Sequence, residues 1–182
     1  MVYPIPPEDN LPQKFPKIPL DRRAYAFLID FASIWFLSSF ASGAPVLQFF
    51  LFLLIWWCLR VLLVAQNQGQ SLGRWALDMK IIDLQLQRLP GILELSKREA
   101  IAGGGAALMM VGLNTFFGNP LSLILLSSPL FADCGMAIGD EQLNRAFHDR
   151  IGGTIVIPTR RGFSLDLRLR RLWYQVKGRM RR

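Results

Sequence analysis

Two apolar runs constrain this chain more than anything else in it. Ala24 to Ser42 is interrupted only by Asp30, and Pro45 to Ala65 only by Arg60. At a helical rise of about 1.5 Å per residue each run reaches about 30 Å, the thickness of a bilayer's hydrocarbon layer. Both are therefore expected to span a membrane. The uncharged "SGAP" between them closes the pair into a tight helical hairpin. A hydrophobic content of 52% agrees, being high for a soluble domain of 182 residues.

A second pair follows, "AIAGGGAALMMVGLNTFFG" and "LSLILLSSPLFADCGMAI", separated by "GNP". Gly103, Gly104 and Gly105 weaken a soluble helix, but small residues let membrane helices approach closely. The expected fold is thus an all-α membrane protein of four transmembrane helices in two hairpins, at about 24–42, 45–65, 100–117 and 121–138. Between the pairs lies a polar connector with a short strand-like stretch, Lys80 to Leu84, and a turn at Pro90-Gly91. After the last span come a β-like "GTIVIP" and a segment whose Leu165, Leu169, Leu172, Trp173 and Val176 follow helical spacing.

Charge divides the chain further. The formal net charge is +8, and residues 160–182 hold nine Lys or Arg against the single acid Asp166, so the rest is balanced. This gives three parts: a proline-rich arm at 1–19 with six of the eleven prolines, a membrane domain at 20–158, and a basic amphipathic tail at 159–182. Lys and Arg flank the runs in the arm, the connector and the tail, while both hairpin turns have none. The positive-inside bias then puts both termini and the connector in the cytoplasm and requires an even number of spans. A multi-pass protein of a prokaryotic plasma membrane or an internal membrane is expected. The tail suits anionic lipid headgroups or a membrane-protein partner, and a homo-oligomer is compatible. Nucleic acid is not an expected partner, because no recognition module is present.

The charged groups inside the runs are the candidate site. Measured along the helices, Asp30 lies about 10 Å, and Arg60 and Asp133 about 7 Å, from the cytoplasmic end. Antiparallel spans place all three in one polar layer. Arg23 and Asp30 share a helix face, but their side chains lean the same way, so Arg60 is the expected partner of Asp30. An ionised group facing lipid costs about 2.5 kcal/mol or more at mid-span, so these groups face other helices or water. Two roles stay open: a cluster that handles an ion, and a pairing that fixes helix register. Neither Cys58 nor Cys134 has metal or disulfide spacing, and His148 is the only histidine. With no Ser-His-Asp set, ligand cluster or phosphate loop, no enzyme, metal or cofactor is expected.

Three stretches resemble the RDD family of small membrane proteins, named for one arginine and two aspartates. They are Arg23-x-x-Ala26-x-x-Ile29-Asp30, the connector "GQSLGRWALDMKIID" at 69–83, and "NRAFHDRIGGTIVI" at 144–157. The resemblance implies that Arg23, Asp30 and Asp149 form the family triad. It also marks Gly69, Ser71, Gly73 and Arg74 as the connector motif, with Ser71 and Arg74 replacing the commoner Thr and Lys. Arg60 is not a family position. His148 beside Asp149 suits a polar clamp closing the bundle better than an acid–base catalyst. What the resemblance implies for function is transport of an unidentified ligand, with sodium/proton exchange proposed for some members. The competing reading is a non-transporting accessory or assembly factor that binds a larger membrane complex.

Overall fold

The computed structural model describes residues 16–140, 143–159 and 165. The proline-rich arm up to residue 15 and, except for Thr159 and Leu165, the basic tail lie outside the described residues. α1 runs from Leu20 to Ser38 and ends in a 3-10 turn, Ser39–Ala41. α2 (Pro45–Trp57) continues through a π-helical turn, Cys58–Leu62, into α3 (Leu63–Gln66), so that 45–66 forms one rod. Pro45 opens that rod at a position where the missing N–H has no helical partner to lose. These two rods are long and apolar enough to cross a membrane.

The connector folds into a short helix, α4 (Leu72–Ala76), and a strand, β1 (Met79–Asp83). α5 (Ile92–Thr115) and α6 (Pro120–Gly135) form the second hairpin. Asn119 caps α6, its Oδ1 accepting from the Leu121 N–H at 3.1 Å, with Pro120 at the first helical position. A last short helix, α7 (Phe147–Ile151), leads into β2 (Thr154–Pro158). β1 and β2 pair antiparallel, from Met79 opposite Pro158 to Asp83 opposite Thr154. The two β-like stretches of the sequence are therefore partners, and they clasp the end of the membrane domain to its connector.

Two boundaries differ from expectation. α5 begins at Ile92, eight residues before the span expected from 100, so Lys97, Arg98 and Glu99 belong to the helix. The cause is inward pairing: Leu95, Arg98, Glu99 and Ala102 share one buried stripe. α6 stops at Gly135, and residues 136–138 form a turn in place of the end of a span.

The helices pack in series, α1 on α2, α2 on α5, and α5 on α6. Glycine sets two of these distances. A Cβ on Gly103 would lie 2.6 Å from Trp56 Cδ1 of α2, and one on Gly105 would lie 3.2 Å from Leu130 Cβ of α6, whereas Gly104 faces open space. An apolar core fills the middle of the bundle, built on Phe31, Ile34, Phe52, Trp56, Ala106 and Met110. A second core, including Ala26, Val61, Leu77, Met79, Ile81 and Val156, secures the connector beneath α1 and the rod at 45–66.

Candidate functional site

Asp30 sits where α1 meets the connector. Its Oδ2 accepts from Arg60 Nη1 at 2.6 Å and from Ser71 Oγ at 2.6 Å, and its Oδ1 accepts from the Gly73 N–H at 2.7 Å. The π turn carries Arg60 at its middle, widening the rod locally and presenting the guanidinium inward. Ser71 caps α4, which delivers the Gly73 amide to the carboxylate. Glycine is required there by close approach: a Cβ on Gly73 would lie 2.0 Å from the Ala26 carbonyl oxygen. Gly69 adopts φ +85°, and a Cβ would press to 2.4 Å from the Ile81 carbonyl oxygen. The connector motif is thus a cradle for Asp30.

Glu99 is the hub, and the sequence reading missed it. Its carboxylate accepts from Arg98 Nη1 at 2.6 Å, Arg60 Nε at 3.0 Å, Arg74 Nη2 at 3.2 Å and the Trp56 indole at 3.2 Å. Three buried arginines from α5, the π turn and α4 share this one anion, a geometry that suits planar, multidentate guanidinium groups. Burial, reinforced by the neighbouring Arg60 and Arg98, pushes the Arg74 guanidinium well below its ordinary pKa. Arg74 Nη1 has no hydrogen-bond partner although it is buried.

Arg98 joins this hub to the C-terminal motif. Its Nε donates to Asp149 at 2.8 Å, and Arg23 of α1 pairs with the other oxygen of the same carboxylate. Arg23 also donates to the Asn144 carbonyl. Burial opposes ionisation of Asp149, but Arg23 and Arg98 outweigh it and hold the carboxyl well below the usual range. His148 lies between Arg98 Nη2, 3.2 Å from its Nε2, and Asp133, 2.5 Å from its Nδ1. A guanidinium can only donate, so Nε2 accepts and Nδ1 carries the proton toward Asp133. Asp133 also takes the His148 backbone N–H at 2.8 Å, tying α7 to α6.

Of the residues expected from sequence, all but Gly69 join one hydrogen-bonded network, with a different wiring, while Gly69 bonds only to the backbone of Val64 and Ile81. The triad divides: Arg23 and Asp149 bind each other, while Asp30 is reached through Arg60, Glu99 and Arg98. Asp133 does not meet Arg60, and its partner is His148. Depth along a helix is readable from sequence, but the direction in which a side chain points around the axis is set by packing. The signal for Glu99 was its spacing, since Leu95, Arg98, Glu99 and Ala102 fall on one helical stripe.

Beside this network lies a cavity of about 320 Å³. α1 and α6 flank it at the two ends of the packing series, through Arg23, Ala24 and Phe27 on one side and Phe131, Cys134 and Gly135 on the other. Arg60, Arg74, Arg98 and His148 contribute its polar wall. Among the described residues no carboxylate lines it; Asp30, Glu99, Asp133 and Asp149 are instead engaged by the cations. Among the described residues no group of three or more His, Cys, Asp or Glu could hold a metal ion. Toward the other end of the bundle the apolar core is continuous. The polar groups there are hydroxyls bonded within their own helices, such as Ser38 and Ser127, and the pair Gln48 and Asn114, bonded at 3.0 Å, with Trp35 donating to Asn114 at 3.2 Å.

The geometry agrees with what comparison of the chain with known families returns. The model described as RDD family matches residues 18–153, from the start of the second core to the turn before β2. No curated protein and no solved structure matches the chain.

Proposed function

We propose that this chain, which belongs to the RDD family and is a membrane protein, is a four-span carrier that takes up a small anionic ligand at its connector end. The observation that supports this is the cavity, whose charged lining residues are all cationic among the described residues. In this reading α5 and α6 span the membrane beside the two longer rods, and the positive-inside bias puts the connector in the cytoplasm. The continuous apolar core is then the closed barrier of an inward-facing state. A second state would open toward Gln48 and Asn114 as α1 and α6, which flank the cavity, change separation.

The test is flux into proteoliposomes loaded with full-length protein, using labelled phosphate, chloride and sodium. Uptake of an anion above the level of empty liposomes, reduced about tenfold or more by Arg74→Gln, is expected from the loss of one charge-assisted contact. Flux at the empty-liposome level for all three ions would overturn carriage of small inorganic ions.

One observation favours the accessory reading. Asp30 already receives three donors, so it is satisfied without any ligand. A network of that kind can serve only to hold the connector in register. A stoichiometric membrane partner recovered with the full chain and lost on deleting residues 160–182 would support that role.

A further inference from the structure

The cavity between α1 and α6 has two chemistries. Its inner wall is made by Arg60, Arg74 and Arg98, all buried, with His148 beside them. Arg74 is only 4% exposed and has just one of its five N–H donors paired, to Glu99, with Nη1 buried and partnerless. A buried guanidinium left in this state is short of an acceptor. The mouth is apolar: Phe131 is 65% and Ile138 is 74% exposed, while Ala24 opposite them on α1 is also exposed. Ala24 and Phe27 belong to α1, one of the two helices long and apolar enough to cross a membrane, and on the four-span reading above this mouth faces the lipids. The volume holds on the order of ten waters at ~30 Å³ each, which is enough for a headgroup and too little for acyl chains.

We infer that this cavity binds the phosphate group of an anionic phospholipid, with the headgroup against Arg74, Arg60 and Arg98 and the acyl chains leaving between α1 and α6 into the bilayer. Guanidinium groups match phosphate oxygens in charge and planar geometry, and the missing acceptor of Arg74 is what a phosphate oxygen supplies. The inference rests on reading this cavity as the ligand site, as proposed above, and names its ligand class. Binding is measured without a gradient, so the two readings fail separately. Absent lipid binding with intact anion flux overturns the lipid alone, and absent flux with intact lipid binding overturns carriage alone.

The experiment titrates the delipidated full chain in detergent with phosphatidylglycerol, phosphatidylcholine or inorganic phosphate. Native mass spectrometry reports bound lipid, and maleimide labelling of Cys134 in a Cys58→Ser background reports occupancy of the cavity. One phosphatidylglycerol per chain, at least about tenfold tighter than phosphatidylcholine, with slowed Cys134 labelling, is expected. Arg74→Gln weakens it about tenfold or more. Gly135→Leu supplies a second variant that leaves every arginine in place, because a Cβ at Gly135 meets nothing within 4 Å and the longer side chain fills the mouth. It too abolishes phosphatidylglycerol protection, and it decides the matter if Arg74→Gln does not fold. Equal binding of the two lipids, or wild-type phosphatidylglycerol binding in Gly135→Leu, overturns the inference. Protection of Cys134 by inorganic phosphate but not by phosphatidylglycerol overturns the lipid as source.

Discussion

Replacing Glu99 by glutamine tests the network at its hub. The substitution keeps size and one acceptor oxygen but removes the charge shared by Arg60, Arg74 and Arg98. It also turns an NH₂ group toward donors that cannot accept from it. Removing one partner of a buried ion pair costs about 3–5 kcal/mol, because the remaining charge stays buried without compensation. For a chain of this size each kcal/mol corresponds to about 2–4 °C in melting temperature, so Glu99→Gln lowers it by about 6–20 °C. Differential scanning fluorimetry of the detergent-purified protein reads this through Trp56, which is buried and donates to Glu99. The double variant Arg74→Gln, Glu99→Gln removes one charge of each sign, and the Arg74 guanidinium has no acceptor besides Glu99 among the described residues. It therefore recovers about 0.5–3 kcal/mol relative to the sum of the single variants. A Glu99→Gln protein that melts within about 2 °C of wild type, with no coupling to Arg74, refutes the hub.

Other expected outcomes are as specific. Ser71→Ala removes the hydroxyl donor to Asp30 and costs about 1.5–3 kcal/mol, while Ser71→Thr retains it; chemical unfolding of the three proteins should separate them in that order. Gly103→Ala forces Cβ against Trp56 and destabilises by about 1–3 kcal/mol, whereas Gly104→Ala meets open space and stabilises by up to about 1 kcal/mol through helix propensity; equal melting temperatures would contradict the packing. Asp149→Asn leaves Arg23 without its carboxylate and Arg98 with Glu99 alone, and lowers stability by about 3–5 kcal/mol near neutral pH. Its sign with pH follows from the depressed pKa of Asp149: its contribution is complete above the ordinary carboxylate pKa of ~3.9 and is lost only as pH falls below that. The gap between wild type and Asp149→Asn should therefore hold constant from pH 8 to pH 6 and close only in strong acid. A gap that closes already between pH 8 and pH 6 would show that Asp149 is not held as described.

Several of these contacts could be anticipated from spacing alone. Asp30 and Arg60 lie at matching depths on antiparallel helices, and the structure joins them at 2.6 Å. The β-branched stretches at 79–83 and 154–158 form strands, yet nothing local in either indicates the other as its partner, 75 residues away. Arg98 and Glu99 were hidden for a physical reason. Charges at the edge of an apolar run ordinarily mark the water boundary, and these two are instead drawn inside by Arg60, Arg74 and Asp149, whose contribution comes only from tertiary packing. The cavity was invisible for the same reason, since it depends on α1 and α6 standing apart at the ends of the packing series.

Cys134 offers a native probe of both the cavity and the orientation of the bundle, because it lines the cavity and is exposed. In a Cys58→Ser background, a membrane-impermeant maleimide should label it in inside-out vesicles and leave it unlabelled in sealed right-side-out vesicles, with Gly135→Leu slowing the reaction. Labelling only from the outer face, or at equal rates in wild type and Gly135→Leu, would contradict a cytoplasmic ligand cavity between α1 and α6.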